Sequence, residues 1–353
     1  MPLIEPDDPV RQADLATIRE LRSDLNAANR ELAHEREQKV RIETAIQHAA
    51  RAAFSAWDPP AIRDPQPDPR KHGEEVAVVA CSDWHYGAKT PDFNRDVCER
   101  RVNQYIDKVL SLTAIQRADH PVRTFRMWCL GDMGTGEDVY LGQEHEIDAP
   151  AIEQAFGAAR LISDAAMRLL GEGGFDSGEV VCLPGNHSLG STKRSPYHPD
   201  TNLDRFAYIA ARERTRTDRI TWNIARAEGG DSGRILVDRI GAYSCLLTHG
   251  DLFRGAGGMA QIPFYAMTVK PLRWRDMSLA GQMPGFKDLA CGHWHKTLKY
   301  PIGSMFLRIC GTLQTYDPFS REQIAAATLP QQTLMFVHPE AGRVTAEYTV
   351  NLA

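Results

Sequence analysis

Five short stretches set oxygen and imidazole donors beside glycine: "SDWHYG" (82–87), "LGDMG" (130–134), "PGNHS" (184–188), "THGD" (248–251) and "GHWH" (292–295). The candidate metal ligands they supply are Asp83, His85, Asp132, Asn186, His249, His293 and His295. Carboxylate, amide oxygen and imidazole together suit divalent manganese, iron or zinc, whereas a structural zinc site favours thiolates. With His187 set aside, seven donors are too many for one ion, but they suit two if one carboxylate bridges. Two cations about 3.5–4 Å apart can hold a phosphate, activate a water and neutralise the charge of an in-line displacement. The neutral oxygen of Asn186 leaves such a site positive enough to attract that anion. A lone histidine is usually a satisfied surface or core residue, but each of these sits in the same kind of setting. "GNHSLGST" also brushes against the phosphate-loop pattern, but the lysine that loop requires before Ser191 is absent.

Each stretch ends a short apolar run: "EVAVVACSD", "FRMWCLGD", "EVVCLPGNH", "AYSCLLTHGD" and "KDLACGHWH". Such runs read as buried strands that stop at a functional loop. Cys81, Cys129, Cys182, Cys245 and Cys291 lie within them and read as small buried hydrophobes. Helical stretches at 95–117 and 149–173 separate the first strands, and that alternation predicts an α/β layered domain. Three further strand-like runs, "GSMFLRICGT", "QQTLMFVHP" and "RVTAEYTVNL", are expected to close a second sheet. Residues 1–57 read as an N-terminal helix with coiled-coil-like spacing at Ile18, Leu21, Leu25, Ala28 and Leu32. A homodimer seam, a dock for a protein partner and packing on its own domain all fit that pattern. Residues 58–73 hold five prolines and read as a linker, which leaves 74–353 for the catalytic domain.

Net charge is −5, which argues against a globally basic nucleic-acid binder without excluding a local basic face. No apolar run reaches the ~18–20 residues that span a bilayer, so no membrane role is expected, and a cytoplasmic location is. Seven cysteines, an odd count without paired spacing, argue against a disulfide framework.

The order D-x-H, G-D, G-N-H, H and G-H-x-H resembles the motif set of the calcineurin-like metallophosphoesterases over roughly residues 76–350. The resemblance implies a four-layer α/β/β/α sandwich with two metal ions at strand ends, manganese first and iron or zinc as alternatives. It assigns one metal to Asp83, His85, Asp132 and His295, and the other to Asp132, Asn186, His249 and His293, with Asp132 bridging. It leaves His187 as the catalytic residue, a general acid at the leaving oxygen. Two departures stand out. Ser188 and Thr135 occupy positions where many members carry acids that orient this histidine, and Glu137, Asp138 and His145 are nearby candidates to replace them.

Basic residues beside the motifs suggest a polyanionic substrate: Lys193 and Arg194 after "GNH", Arg254 after "HGD", and Arg273 and Arg275 around Trp274, with His145 as a further contact. The basic loop, "HGD-x-F-R-G-x-G-G", "GHWH", "GTLQTYD" and "PQQTLMF" are similar to phage and prophage nuclease-like phosphoesterases, distant relatives of SbcD-type repair exonucleases. The expectation is a DNA phosphodiesterase. A phosphomonoesterase or small-nucleotide phosphodiesterase is the alternative, and a weakly active metal-containing DNA-binding or scaffold protein is a third reading.

Overall fold

The computed structural model describes residues 73–140, 142–189, 198, 200–228, 232–255, 262–315 and 329–353, together with 19, 21–27, 30 and 44. The chain separates into two compact units, Met1–Trp57 and Asp58–Ala353. In the first, residues 21–27 are helical, with Leu21 and Leu25 exposed. The remainder of the coiled-coil pattern and residues 58–72 of the linker lie outside the described residues.

The larger unit begins with β1 (Glu75–Cys81), α1 (Arg95–Gln116), β2 (Val122–Cys129), α2 (Ala151–Gly171), β3 (Ser177–Cys182), α3 (Leu203–Arg214) and β4 (Ile220–Ile224). It continues with β5 (Ile235–Ile240), β6 (Tyr243–Thr248), α4 (Phe264–Leu279), β7 (Asp288–Cys291), β8 (Leu298–Ile302), β9 (Met305–Ile309), β10 (Gln331–His338) and β11 (Arg343–Asn351). One sheet has the order β11-β10-β1-β2-β3-β4, the other β5-β6-β7-β9-β8. β1 to β4 pair in parallel, as do β6, β7 and β9.

Strand periodicity builds the layers. Val76, Val78 and Ala80 of β1 share one buried cluster with Tyr243, Cys245 and Leu247 of β6, so the sheets pack face to face. The intervening Leu246 turns the other way, into a second cluster with Met267 and Trp274 of α4. On the far side, α1 seals the first sheet: Tyr105 donates its hydroxyl to the carbonyls of Ala80 at 3.0 Å and Thr333 at 2.6 Å. Tyr208 of α3 does the same to Leu183 at 2.8 Å. The result is an α/β/β/α sandwich. Asn94 caps α1 by accepting from the Val97 amide at 2.9 Å, and Asn202 caps α3 by accepting from Arg205 at 2.7 Å. All seven cysteines are buried free thiols.

Two expectations need correction. Of the three C-terminal runs, only β9 joins the second sheet. β10 extends the first sheet antiparallel to β1, and β11 pairs antiparallel with β10 at its edge, because the apolar β10 covers what would otherwise be an open edge of β1. The basic segment after "GNH" is also not one loop. Its latter part is α3, where Arg205 pairs with Asp200 at 3.4 Å and Arg214 with Asp164 at 2.8 Å.

Candidate metal centre

The loops that follow β1, β2, β3, β6 and β7 carry the candidate ligands at the strands' carboxyl ends, where α/β sheets place ligand sites. The backbone laces them together. Asp83 donates its amide to Gly131 at 3.1 Å, His85 to Asp132 at 3.0 Å, and Gly292 to His249 at 2.7 Å. Asp83, His85, Asp132, His293 and His295 all have φ between 47° and 74°. They are the only non-glycine residues with positive φ among the described residues. Such a conformation costs on the order of 1–3 kcal/mol per residue and persists where surrounding structure over-determines it. Here the strain falls on the side chains that could hold a cation. Gly185 and Gly292 allow the close approach: a Cβ on the first would lie 2.0 Å from Asp132 Oδ1, and on the second 1.8 Å from Ser82 Oγ.

The donors gather in two triads, Asp83–His85–His295 and Asp132–His249–His293, and the ligand atoms of each lie within 4.8 Å of one another. In the first, Nε2 of His85 and Nε2 of His295 are 3.0 Å apart, and lie 3.8 Å and 3.5 Å from Asp83 Oδ1. That oxygen is buried and has no hydrogen-bond partner. Donors about 2.0–2.2 Å from one ion sit about 3.0–3.6 Å from each other, so two of the three spacings suit a divalent metal and the third is slightly long. In the second, His249 Nε2 lies 3.0 Å from both Asp132 Oδ2 and Asn186 Oδ1. Its Nδ1 donates to the Leu130 carbonyl at 2.8 Å, which leaves Nε2 to ligate. Ser82 orients Asp83 from behind, donating to Oδ2 at 2.5 Å, and the His293 amide donates to the same oxygen at 2.9 Å.

Electrostatics separates the triads. Burial would raise the Asp83 carboxyl, but the nearby His295 and the charge of His249 bring it down to about 2. Burial, reinforced by His187 and His295, pushes His85 well below the usual imidazole value. In the second triad burial would lower His249, yet Asp132 outweighs it and raises it to about 9. Asp132 is correspondingly held low by His249 and His187 against its burial. His293 falls to about 3 through burial and the charge of His249.

His187 stands against the first triad, its ring 4.8 Å from His85 and nearly perpendicular to it. Its amide donates to Asp132 Oδ1 at 2.8 Å, and its Nδ1 donates to the Thr135 carbonyl at 2.8 Å. A carbonyl only accepts, so Nδ1 carries the hydrogen and Nε2 is the free proton-transfer atom. The orienting group is therefore a backbone oxygen at the position where the family pattern has an acid. Glu137 instead accepts from the Ala151 amide at the start of α2, at 2.9 Å. His145 is 83% exposed beside Glu144, on a segment strapped to Ala88.

Several residues without a motif hold the site. Asp204, on the first turn of α3, is buried and accepts from the amides of Asp132 at 2.9 Å, Met133 at 3.0 Å and Gly185 at 2.8 Å. It thereby ties the loop of Asp132 to that of Asn186. Burial and the Asp132 charge raise its carboxyl to about 6. Gln154 of α2 clamps the loop that holds His187, accepting from Thr135 at 3.0 Å and Gly136 at 2.8 Å. The one sequence signal was the helix-start pattern "TNLD", which does not say what the acid would touch.

The basic rim differs from expectation. Arg234, which no motif marks, pairs with Asp251 just after His249. Burial and the charge of Arg254 lower it, and Lys270 is lowered by burial and by both arginines, so the three cations lie close together. Arg254 is exposed. Arg273 is exposed on α4, but Arg275 donates to Ser304 at 2.9 Å, at the opposite end of the sheet from the metal donors, and is no contact of this centre. Trp274 is core, 7% exposed, not a stacking platform. Trp84 is fully buried and Trp294 packs on Phe253. Lys193 and Arg194 lie outside the described residues.

Among the described residues no helix is long and apolar enough to cross a membrane. No protein-family model matches the chain, and no curated protein matches it. Among solved structures it is similar to a Streptococcus pneumoniae protein described as a predicted phosphoesterase, at 11% identity over 79% of this chain and 99% of that one, TM-score 0.30. It is similar to a protein described as a novel archaeal phosphodiesterase, at 9% identity over 78% and 99%, TM-score 0.31. It is also similar to Vps29 of Entamoeba histolytica complexed with zinc, at 13% identity over 79% and 99%, TM-score 0.31. Identities this low name no activity.

Proposed function

We propose that this chain is a metal-dependent phosphoesterase of the calcineurin-like type, and that it hydrolyses phosphodiesters in DNA with manganese as its metal. One observation carries the reading: two oxygen-and-imidazole triads on strained strand ends, with His187 fixed against them by Thr135. Asp83, His85 and His295 would hold one ion, and Asp132, Asn186, His249 and His293 the other, with Asp132 as the bridge that the sequence resemblance implies. Bound divalent ions supply Lewis acidity toward a phosphoryl oxygen and lower the pKa of a water. His187 is positioned to deliver the Nε2 proton to a leaving oxygen. Arg234, Arg254 and Lys270 form the cationic rim that would take neighbouring phosphates. The DNA assignment rests on that rim and on the sequence resemblance.

The test is cleavage of end-labelled linear and circular DNA, single- and double-stranded, with manganese and with Asp132→Ala as control. Cleavage by the wild type alone, lost in His187→Ala, is expected. Hydrolysis of bis(p-nitrophenyl) phosphate without DNA cleavage would remove the DNA assignment. Hydrolysis of neither would remove the enzymatic one.

A further inference from the structure

We propose that the chain carries a second, separate site for a small phosphorylated molecule, at the end of the second sheet opposite the metal centre. β6, β7 and β9 run in parallel. His249 and His293 lie just beyond the last residues of β6 and β7, whereas Tyr243, Asp288 and Met305 open the three strands at the other end. There, a cavity of about 330 Å³ is lined by Arg275, Lys287, Lys299, Arg308 and Arg343. The length of β6 puts it roughly 20 Å from His249.

The charges around this cavity do not balance. Arg308 is buried and bridges Asp288 at 2.8 Å and Glu347 at 3.0 Å, and Lys299 shares Glu347 at 3.0 Å. Those two carboxylates are thereby taken. Arg275 donates to the Ser304 hydroxyl at 2.9 Å and Lys287 to the Gly342 carbonyl at 3.2 Å, both neutral acceptors. Arg343 is exposed on the cavity wall. Among the described residues no carboxylate pairs with Arg275, Lys287 or Arg343. Three cations facing one concavity repel each other, and a phosphate dianion relieves that repulsion while offering acceptors to two guanidinium forks. The buried Arg308 network makes the floor rigid, and Phe306, with Lys299 4.7 Å from its ring centroid, gives the wall an apolar surface. Pockets for small molecules run from about 300 to 1,000 Å³, so this one suits a compact phosphate ester.

The test is calorimetric titration of the full chain carrying Asp132→Ala, which disables the metal centre, with inorganic phosphate and with adenosine 5′-monophosphate. The second site is expected to bind both, with affinity falling about tenfold for each of Arg343→Ala and Lys287→Ala. Both side chains are exposed, so neither change threatens folding, and Arg343→Lys should restore part of the loss. Phosphate binding without adenosine monophosphate binding would overturn the assignment to a phosphate ester. Binding indifferent to Arg343 and Lys287, or no binding up to about 10 mM, would overturn the site itself.

Discussion

The two triads share a composition, one aspartate and two histidines, but not an electrostatic state. Asp132 and His249 neutralise each other, are bonded to the backbone, and lie 3.0 Å apart. In the first triad the carboxylate contacts are longer, with His295 and His85 3.5 Å and 3.8 Å from Asp83 Oδ1, and His85 is driven toward neutrality. One half of the centre is thus preorganised by its own charges, while the other is a set of lone pairs facing one another. A cation should therefore displace a proton from the second triad and fill an electrostatic gap in the first.

Losing the expected bridging carboxylate or the proton donor should have the largest effect. Asp132→Ala should abolish metal-dependent hydrolysis, and His187→Ala, which keeps the triads, should lower kcat by about 10²–10⁴ with metal stoichiometry unchanged. Equal metal content with lost turnover separates the proton role from ligation. Next comes Asp204→Asn, which weakens the carboxylate's grip on three amides. It should lower metal affinity about 10–100-fold, at the Asp132 triad far more than at the Asp83 triad, as metal titration with a colorimetric chelator would read. Equal losses at both would erase the distinction between them.

The pH dependence sharpens the contrast further. The Asp132 carboxylate holds His249 up at about 9 against its burial, so at neutral pH it should be protonated and lose that proton to ligate. Affinity at the second triad should therefore fall about tenfold per pH unit as pH drops below about 9. His293, at about 3, and Asp83, at about 2, are already in their ligand forms and add no slope. Calorimetry in buffers of different ionisation enthalpy should register this proton release, and its absence would refute the pairing. The smallest effect is expected from Ser82→Ala, which removes one hydrogen bond to Asp83 Oδ2. It should weaken the first triad a fewfold, with about 0.5–1.5 kcal/mol lost.

The donors were legible because ligand chemistry admits few residue types and each stands where an apolar run stops, as at "VVACSD" and "LACGHWH". The strands were legible for the same reason, since parallel buried strands need apolar residues on both faces. The destination of the last strands was not. β9 and β10 look alike in sequence, yet one joins each sheet, a choice made by edge pairing. Nor could the orienting partner of His187 be read, because it is a backbone carbonyl, and every residue carries one.

Residue type and spacing alone therefore determined which side chains could bind a divalent metal, and that layered strands would present them. The fold alone settled that a backbone oxygen orients His187 and that Asp204 and Gln154 brace the loops of the centre. The same fold removed Arg275 and Trp274 from it. The physical reason is distance: charge coupling and hydrogen bonding act over a few ångströms in space, and sequence separation does not report that proximity.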